Sequence, residues 1–260
     1  EYHRLCAAMD QPSIDGVNTY FVSKVTAETG LKVAMSGLGG DELFGGYPSF
    51  QEIPRLAGTL GKIPGMRYAG RAFRKITGPA ISAVKSPKYA GVFEYGSTYP
   101  DAYLLRRALY MPWELPKLMD SAMASDGWAE LEETTGRRGQ VDGLPTPRTK
   151  VSALEATWYM RHQLLRDSDW AGMAHSLEIR VPLVDTVFFR RIAPMLVSDT
   201  PPGKRDMAAS PSRPLPDDVL NRPKTGFAVP MPEWLLKDDP AALKQGYRGW
   251  LCKIVEDCYP

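Results

Sequence analysis

The sequence predicts an α/β chain that is predominantly helical, with one or few parallel strands. Two observations carry the prediction. Residues 31–35 (Leu31, Lys32, Val33, Ala34, Met35) form a run of strand length that opens directly into the glycine loop Ser36-Gly37-Leu38-Gly39-Gly40-Asp41. Helical periodicity precedes and follows it, and helix, strand, glycine loop, helix is the repeating unit of a parallel sheet with ligand groups at the carboxyl ends of its strands. A single convincing strand is visible, so helices dominate the remainder.

The first helix is marked by Ser13 and Asp15 as caps and by Val17, Tyr20, Phe21 and Val25 at helical spacing, with Gly30 ending it. Asp10, just before it, either makes an Asx turn or contacts a ligand, and the turn is the commoner role. The run 31–35 reads as a short buried strand. The glycines after it allow a tight turn and close backbone approach, because a residue without Cβ takes positive φ and presents its amide uncovered. Asp41 and Glu42 then start a short helix over 42–44 that Gly45, Gly46 and Pro48 stop. A carboxylate there either caps the helix or holds a Mg²⁺ whose other ligands are phosphate oxygens. The loop is neither a dinucleotide fingerprint, since Glu42 stands where a third glycine is needed, nor a Walker A loop, which needs Gly-Lys-Ser/Thr. Its local chemistry fits a nucleotide site and a plain turn about equally.

Residues 53–93 contain no acid and eight cations, of which Arg67, Arg71, Arg74 and Lys75 share a helical face. Such a patch meets an acidic partner, a membrane surface or an anionic substrate, or is a solvated face. Residues 98–125 carry Tyr99, Tyr103, Leu104, Leu109, Trp113 and Leu118 as core positions, broken by prolines into short helices. Residues 126–147 are polar and glycine-rich and read as a loop. An amphipathic helix follows over 147–166 with Val151, Leu154, Trp158 and Leu165 on one face and His162 beside it as a core histidine. Residues 199–218 read as a surface connection, and 241–255 as a closing helix.

With 260 residues, 43% hydrophobic and 24% charged, the chain can bury one substantial core or two small ones. A net charge of +2 is too mild for a nucleic-acid binder, and no apolar run approaches the ~18 residues of a membrane span. Cys6, Cys252 and Cys258 are odd in number and lack Cys-x-x-Cys spacing, so reduced thiols and a cytoplasmic setting are expected.

Three motifs point further. The run from Ser36 to Tyr47 resembles Ser-Gly-x-Gly-x-Asp-Glu-x-Phe-x-Gly-Tyr of the asparagine synthetase family. Asp169 to Asp185 resembles that family's Asp-Arg-x-Ser-Met-Ala-x-Ser-x-Glu-x-Arg-x-Pro-Phe-x-Asp, with Trp170 where Arg and Leu183 where Phe are usual. Arg222 to Leu235 resembles its Arg-Pro-Lys-x-Gly-Phe signature. Read without the family, Glu178 and Arg180 are a substrate-binding pair on one face of an extended stretch or a structural salt bridge, and Lys224 is a loop cation.

The resemblance implies the C-terminal part of an adenine-nucleotide α-hydrolase-like (ATP pyrophosphatase) domain. Residues 1–50 would end its nucleotide-binding core, and 51–260 would form a mostly helical substrate side. It implies an ATP- and Mg-dependent amide synthetase that converts aspartate or a related acid to an acyl-adenylate, releases pyrophosphate and uses ammonia from glutamine. By position, Ser36, Gly37 and Gly39 would bind nucleotide and Asp41 would hold Mg²⁺ through pyrophosphate. Glu178 and Arg180 would contact substrate, and Lys224 and Glu178 would be catalytic, the lysine stabilising charge that builds on phosphate. The family's Ser-Gly-Gly-x-Asp-Ser loop and glutaminase domain are absent from these 260 residues. The chain is therefore expected to be the inactive C-terminal part of a longer protein, partnered by that domain and by a second copy in a homodimer, with neither nucleic acid nor membrane span. Leu38 stands where these synthetases carry Glu and the related β-lactam synthetases Tyr, and leucine cannot titrate. The acceptor therefore differs from aspartate, another base such as Glu178 serves, or the chain is a non-catalytic nucleotide-binding or interaction protein.

Overall fold

The computed structural model describes residues 1–135, 141–213, 215–222 and 230–259. Helices α1 (Tyr2–Ala8) and α2 (Asp15–Glu28) lead into β1 (Val33–Met35). Then come α3 (Gly40–Phe44), α4 (Ser49–Leu60), α5 (Met66–Val84), α6 (Val92–Tyr95), α7 (Tyr99–Arg107), α8 (Ser121–Thr135) and α9 (Pro147–Leu154). A π-helical segment, Glu155–Leu164, continues into α10 (Leu165–Met173). Strand β2 (Glu178–Arg180) follows, then α11 (Thr186–Leu196), α12 (Lys204–Ala209), α13 (Asp217–Leu220), α14 (Met231–Leu235), α15 (Pro240–Lys244) and α16 (Tyr247–Cys258). The chain divides into two compact units, one of Glu1–Gly46 with Ala156–Pro260 and one of Tyr47–Glu155.

In the first unit β1 and β2 pair in parallel, with Val33 opposite Glu178, Ala34 opposite Ile179 and Met35 opposite Arg180. Alternation along each strand puts Val33, Met35, Glu178 and Arg180 on one face and Ala34 and Ile179 on the other. The second face is covered by α10, where Gly172 lets Ile179 approach; a Cβ there would sit 3.2 Å from Ile179 Cδ1. The first face is bare, so the strand expected to be buried is not. Met35 is 77% exposed, because α10 packs against the opposite side of the two-stranded sheet.

Helix α2 is fastened to α10 and the π segment by the polar residues before it. Ser13 Oγ accepts from the Gly16 amide in the first turn of α2, although the N-cap position itself falls on Ile14, and donates to Asp167 at 2.6 Å. Asp15 instead accepts from Tyr159 and Gln163, each at 2.7 Å, and Asp10 pairs with Arg166 at 2.6 Å. The Asx-turn reading of Asp10 therefore gives way to an ion pair with a residue far along the chain. Trp170 is buried, donates to Asp167 and packs against Gly16. With Leu5, Val17, Tyr20, Met231, Trp250 and Ile254 it belongs to the core of this unit.

Several other expectations are corrected. The helix foreseen over 147–166 is α9, the π segment and the start of α10. The wider π turn breaks the 3.6-residue period, so Val151 and Leu154 are buried, Trp158 and Leu165 are half-buried and His162 is exposed. Residues 126–135 are helical rather than loop, since Ala129-Glu130-Leu131-Glu132 are good helix formers. The connection at 199–218 contains α12, and the closing helix is split into α15 and α16 at Gly246 with φ 57°. Cys6 and Cys258 form a disulfide with Cα atoms 5.2 Å apart, and Cys252 stands outside it. The expectation of three reduced thiols fails because α1 and α16, at opposite ends of the chain, pack together.

In the second unit α4, α7 and α9 pack on one another and bury Ile53, Ala57, Tyr103, Val151 and Leu154. Glu155 lies fully buried here and accepts hydrogen bonds from Ser49, from Tyr103 at 2.7 Å and from Arg107 at 2.7 Å. Of the core positions expected over 98–125, Tyr103 is buried and the others are half-buried. Among the described residues no helix is long and apolar enough to cross a membrane.

Candidate functional site

The glycine loop leaves β1 at its carboxyl end. The Ser36 amide donates to the Arg180 carbonyl at 2.8 Å, so the strand pairing extends one residue into the loop. Gly39 then turns with φ 94°, and an added Cβ would sit 3.0 Å from Val184 and 3.2 Å from the Leu183 backbone. Only glycine combines that φ with that approach. The amides of Gly37 and Gly39 donate to no protein acceptor among the described residues, and nothing lies within 4 Å of a Cβ built on Gly37. Gly37 is exposed, so its amide at the turn is open to an anion.

Asp41 lies in the first turn of α3, and Lys204 of α12 sits beside it with Nζ 2.8 Å from Oδ1. Gly46 makes room for the pair, since a Cβ there would lie 1.7 Å from Asp41 Oδ1 and 2.7 Å from Lys204 Cδ. Leu43 and Phe44 anchor the loop in an apolar cluster with Leu196, against which Leu183, Phe188, Ile192 and Met207 pack. Segments 36–46, 180–196 and 204–207 thus converge at the carboxyl end of the two strands. Lys204 is the participant that motif reading missed. Its stretch looks like a polar connector, and the only local hint is a short helix opened by Gly203, whose amide donates to Asp206.

Glu178 and Arg180 are exposed and paired, Nε to Oε1 at 2.8 Å. The hydrogen bond and charge of Arg180 hold the Glu178 carboxyl below the usual carboxylate range. In this state Glu178 is an ionised acceptor of low basicity, and the two side chains satisfy one another as a salt bridge would. A cavity of ≈ 200 Å³ bordered by Ser168, Asp169, Met173 and Glu178 lies beside them. It is smaller than the ~300 Å³ at which drug-sized ligand sites begin.

No three His, Cys, Asp or Glu side chains gather as a metal cage among the described residues. Mg²⁺ commonly takes one or two carboxylates, with waters and substrate phosphates as its other ligands. Asp41 fits that role if Lys204 yields its place. Leu38 donates its amide to Ser36 Oγ at 3.4 Å and offers no titratable group. Lys224 lies outside the described residues.

The asparagine synthase family model matches residues 1–245. Asparagine synthetase [glutamine-hydrolyzing] 1 of Bacillus subtilis is 27% identical over 254 residues, covering 95% of this chain and 37% of the relative. A putative asparagine synthetase [glutamine-hydrolyzing] of Mycobacterium tuberculosis (strain H37Rv) is 26% identical over 238 residues, 87% of this chain and 34% of the relative. The chain therefore spans about a third of the length of these curated relatives. No solved structure gives a significant match.

Proposed function

The chain belongs to the asparagine synthase family, with its adenine-nucleotide α-hydrolase-like fold, and on that premise we propose that it is part of an ATP-dependent amide synthetase. The reaction proposed is activation of a substrate carboxylate, aspartate or a related acid, as an acyl-adenylate with release of pyrophosphate. Ammonia from glutamine, released by a glutaminase domain elsewhere in a longer polypeptide, then displaces AMP. The observation that carries this reading is the convergence of two distant motifs. The Ser36 amide sits on the Arg180 carbonyl, and Gly39 packs on Leu183 and Val184.

Each residue has a proposed task. Gly37 and Gly39 present backbone amides to phosphate oxygens, and Ser36 orients the loop. Asp41 holds Mg²⁺ through pyrophosphate, while Lys204, released from Asp41, supplies a cation to the same phosphates. An incoming zwitterion exchanges the Glu178–Arg180 pair for its own ammonium and carboxylate. The low basicity of Glu178 favours this positioning task over the proton-accepting one. Lys224 stabilises charge in the two transition states. Residues 1–50 serve as the end of the nucleotide core and the remainder as the substrate side.

The test is ATP–pyrophosphate exchange in the longest natural polypeptide that carries residues 1–260, with aspartate and a panel of other carboxylates. Native protein is compared with Lys224→Ala and Leu38→Glu. Exchange with some carboxylate, abolished by Lys224→Ala, is expected. Silence across the panel with Mg-ATP still bound overturns the synthetase reading in favour of a nucleotide-binding protein without chemistry.

A further inference from the structure

The acid-free, cation-rich stretch 53–93 is not used by the proposed chemistry, and its structure separates the cations into two kinds. Arg74 turns inward from α5. It pairs with Glu94 at 2.6 Å and stacks over Trp113 with its guanidinium carbon 4.1 Å from the ring centroid. Gly70 and Phe73 share that inner side; Gly70 lies against the backbone of Phe93 and Glu94, and Phe73 meets Phe93 edge to face at 5.0 Å. Arg67, Arg71 and Lys75 are exposed and have no partner among the described residues.

Spaced four apart, these three form one stripe along α5. Tyr68, Ala72 and Ile76 form a second stripe beside it. Tyr68 is 81% and Ile76 79% exposed. Together they make a ridge about 13 Å long at 1.5 Å per residue, cationic along one flank and apolar along the other.

We propose that this outer face of α5 is a docking surface for an anionic phospholipid bilayer, with Arg67, Arg71 and Lys75 meeting headgroups and Tyr68 and Ile76 entering the interface. Charge complementarity selects an anionic partner, and a second copy of the same face would oppose cation to cation. Acidic motifs are recognised by clusters of arginines, but that mode gives no task to the exposed apolar stripe of Tyr68 and Ile76. A surface with negative charge outermost and hydrocarbon beneath answers both stripes at once. Three cations and two apolar side chains make the attachment reversible and sensitive to salt, because attraction to headgroups decays within about 10 Å at 0.1 M ionic strength.

The experiment is co-sedimentation of the full chain with vesicles of phosphatidylserine and phosphatidylcholine, against vesicles of phosphatidylcholine alone. Binding to the anionic vesicles only, released by raising the salt, is expected. At about fivefold per cation, the combined substitution Arg67→Gln, Arg71→Gln, Lys75→Gln should weaken it about a hundredfold. Tyr68→Ser with Ile76→Ser should weaken it several-fold. Both sets leave the Gly70, Phe73 and Arg74 side of the helix untouched, so circular dichroism and melting should stay native. The proposal is overturned by failure of the native chain to sediment, by equal binding to neutral vesicles or by binding indifferent to either set. Capture by an acidic polypeptide without vesicle binding overturns it too. Sedimentation is read without catalysis, so its outcome is independent of the synthetase reading.

Discussion

Asp167 offers a direct test of how α2 is held. Its carboxyl is buried, and removal from water pushes it up from 3.8 to about 6; the charges of Asp15 and Asp10 add to the rise, while the hydrogen bonds from Ser13 and Trp170 oppose it. Between pH 4 and 6 the native state therefore binds more protons than the unfolded state, and stability falls as pH rises through that window. At 1.36 kcal/mol per pH unit the contribution is about 3 kcal/mol, fully present below pH 4 and lost above pH 6. Asp167→Asn keeps the shape of the side chain and removes the titration. Denaturant unfolding of both proteins should show the stability difference moving by about 3 kcal/mol toward the variant between pH 4 and 6.5. Taking the difference cancels titrations common to both proteins that lie far from the substituted site. Parallel stability curves across the window would refute the argument that burial governs this group.

Other perturbations probe the second unit, the loop and the chain ends. Glu155→Leu leaves the Arg107 guanidinium without its carboxylate in a half-buried site, and denaturant unfolding should show a loss of about 3–5 kcal/mol. A loss below about 1 kcal/mol would mean that the buried carboxylate costs as much to desolvate as its bonds return. Gly46→Ala would displace the Asp41 carboxylate by more than an ångström from where it is to meet Mg²⁺ and pyrophosphate, and pyrophosphate exchange should fall about a hundredfold. Because the displaced group is a flexible side-chain end, the melting temperature should scarcely move, and an equal fall in both would make Gly46 a structural residue only. Thiol titration of the unreduced, denatured chain should find Cys252 alone, and reduction should release Cys6 and Cys258 as well. Three thiols without reductant would remove the disulfide from the account.

What was legible in the sequence was local. The order helix, strand, glycine loop, helix is written within residues 13–46, where periodicity and glycine placement act over a few positions. The partner of β1 was hard to see because β2 is three residues long and reads Glu-Ile-Arg, a pattern with one apolar side chain. Exposure of β1 was hidden for a related reason. Apolar strands of parallel sheets are ordinarily covered on both faces, whereas here α10 covers one.

The polar residues before α2 were misread by proximity. Asp10 and Asp15 look like turn and cap residues, because that is what such side chains do with their neighbours. Their carboxylates are instead taken by Arg166 and by Tyr159 with Gln163, and no local pattern encodes a partner 144 to 156 positions away. Lys204 is the same problem at the candidate site. Asp41 could be nominated from the glycines around it, but the cation that neutralises it arrives on a six-residue helix from a proline- and charge-rich stretch. The α5 face reverses the relation. Its charge was evident in composition, and the fold removed Arg74 from it by pairing it with Glu94. Where a side chain's partner lies within a turn or a loop, the sequence names the pairing. Where the pairing is made by packing distant helices, the sequence names only the groups that need a partner.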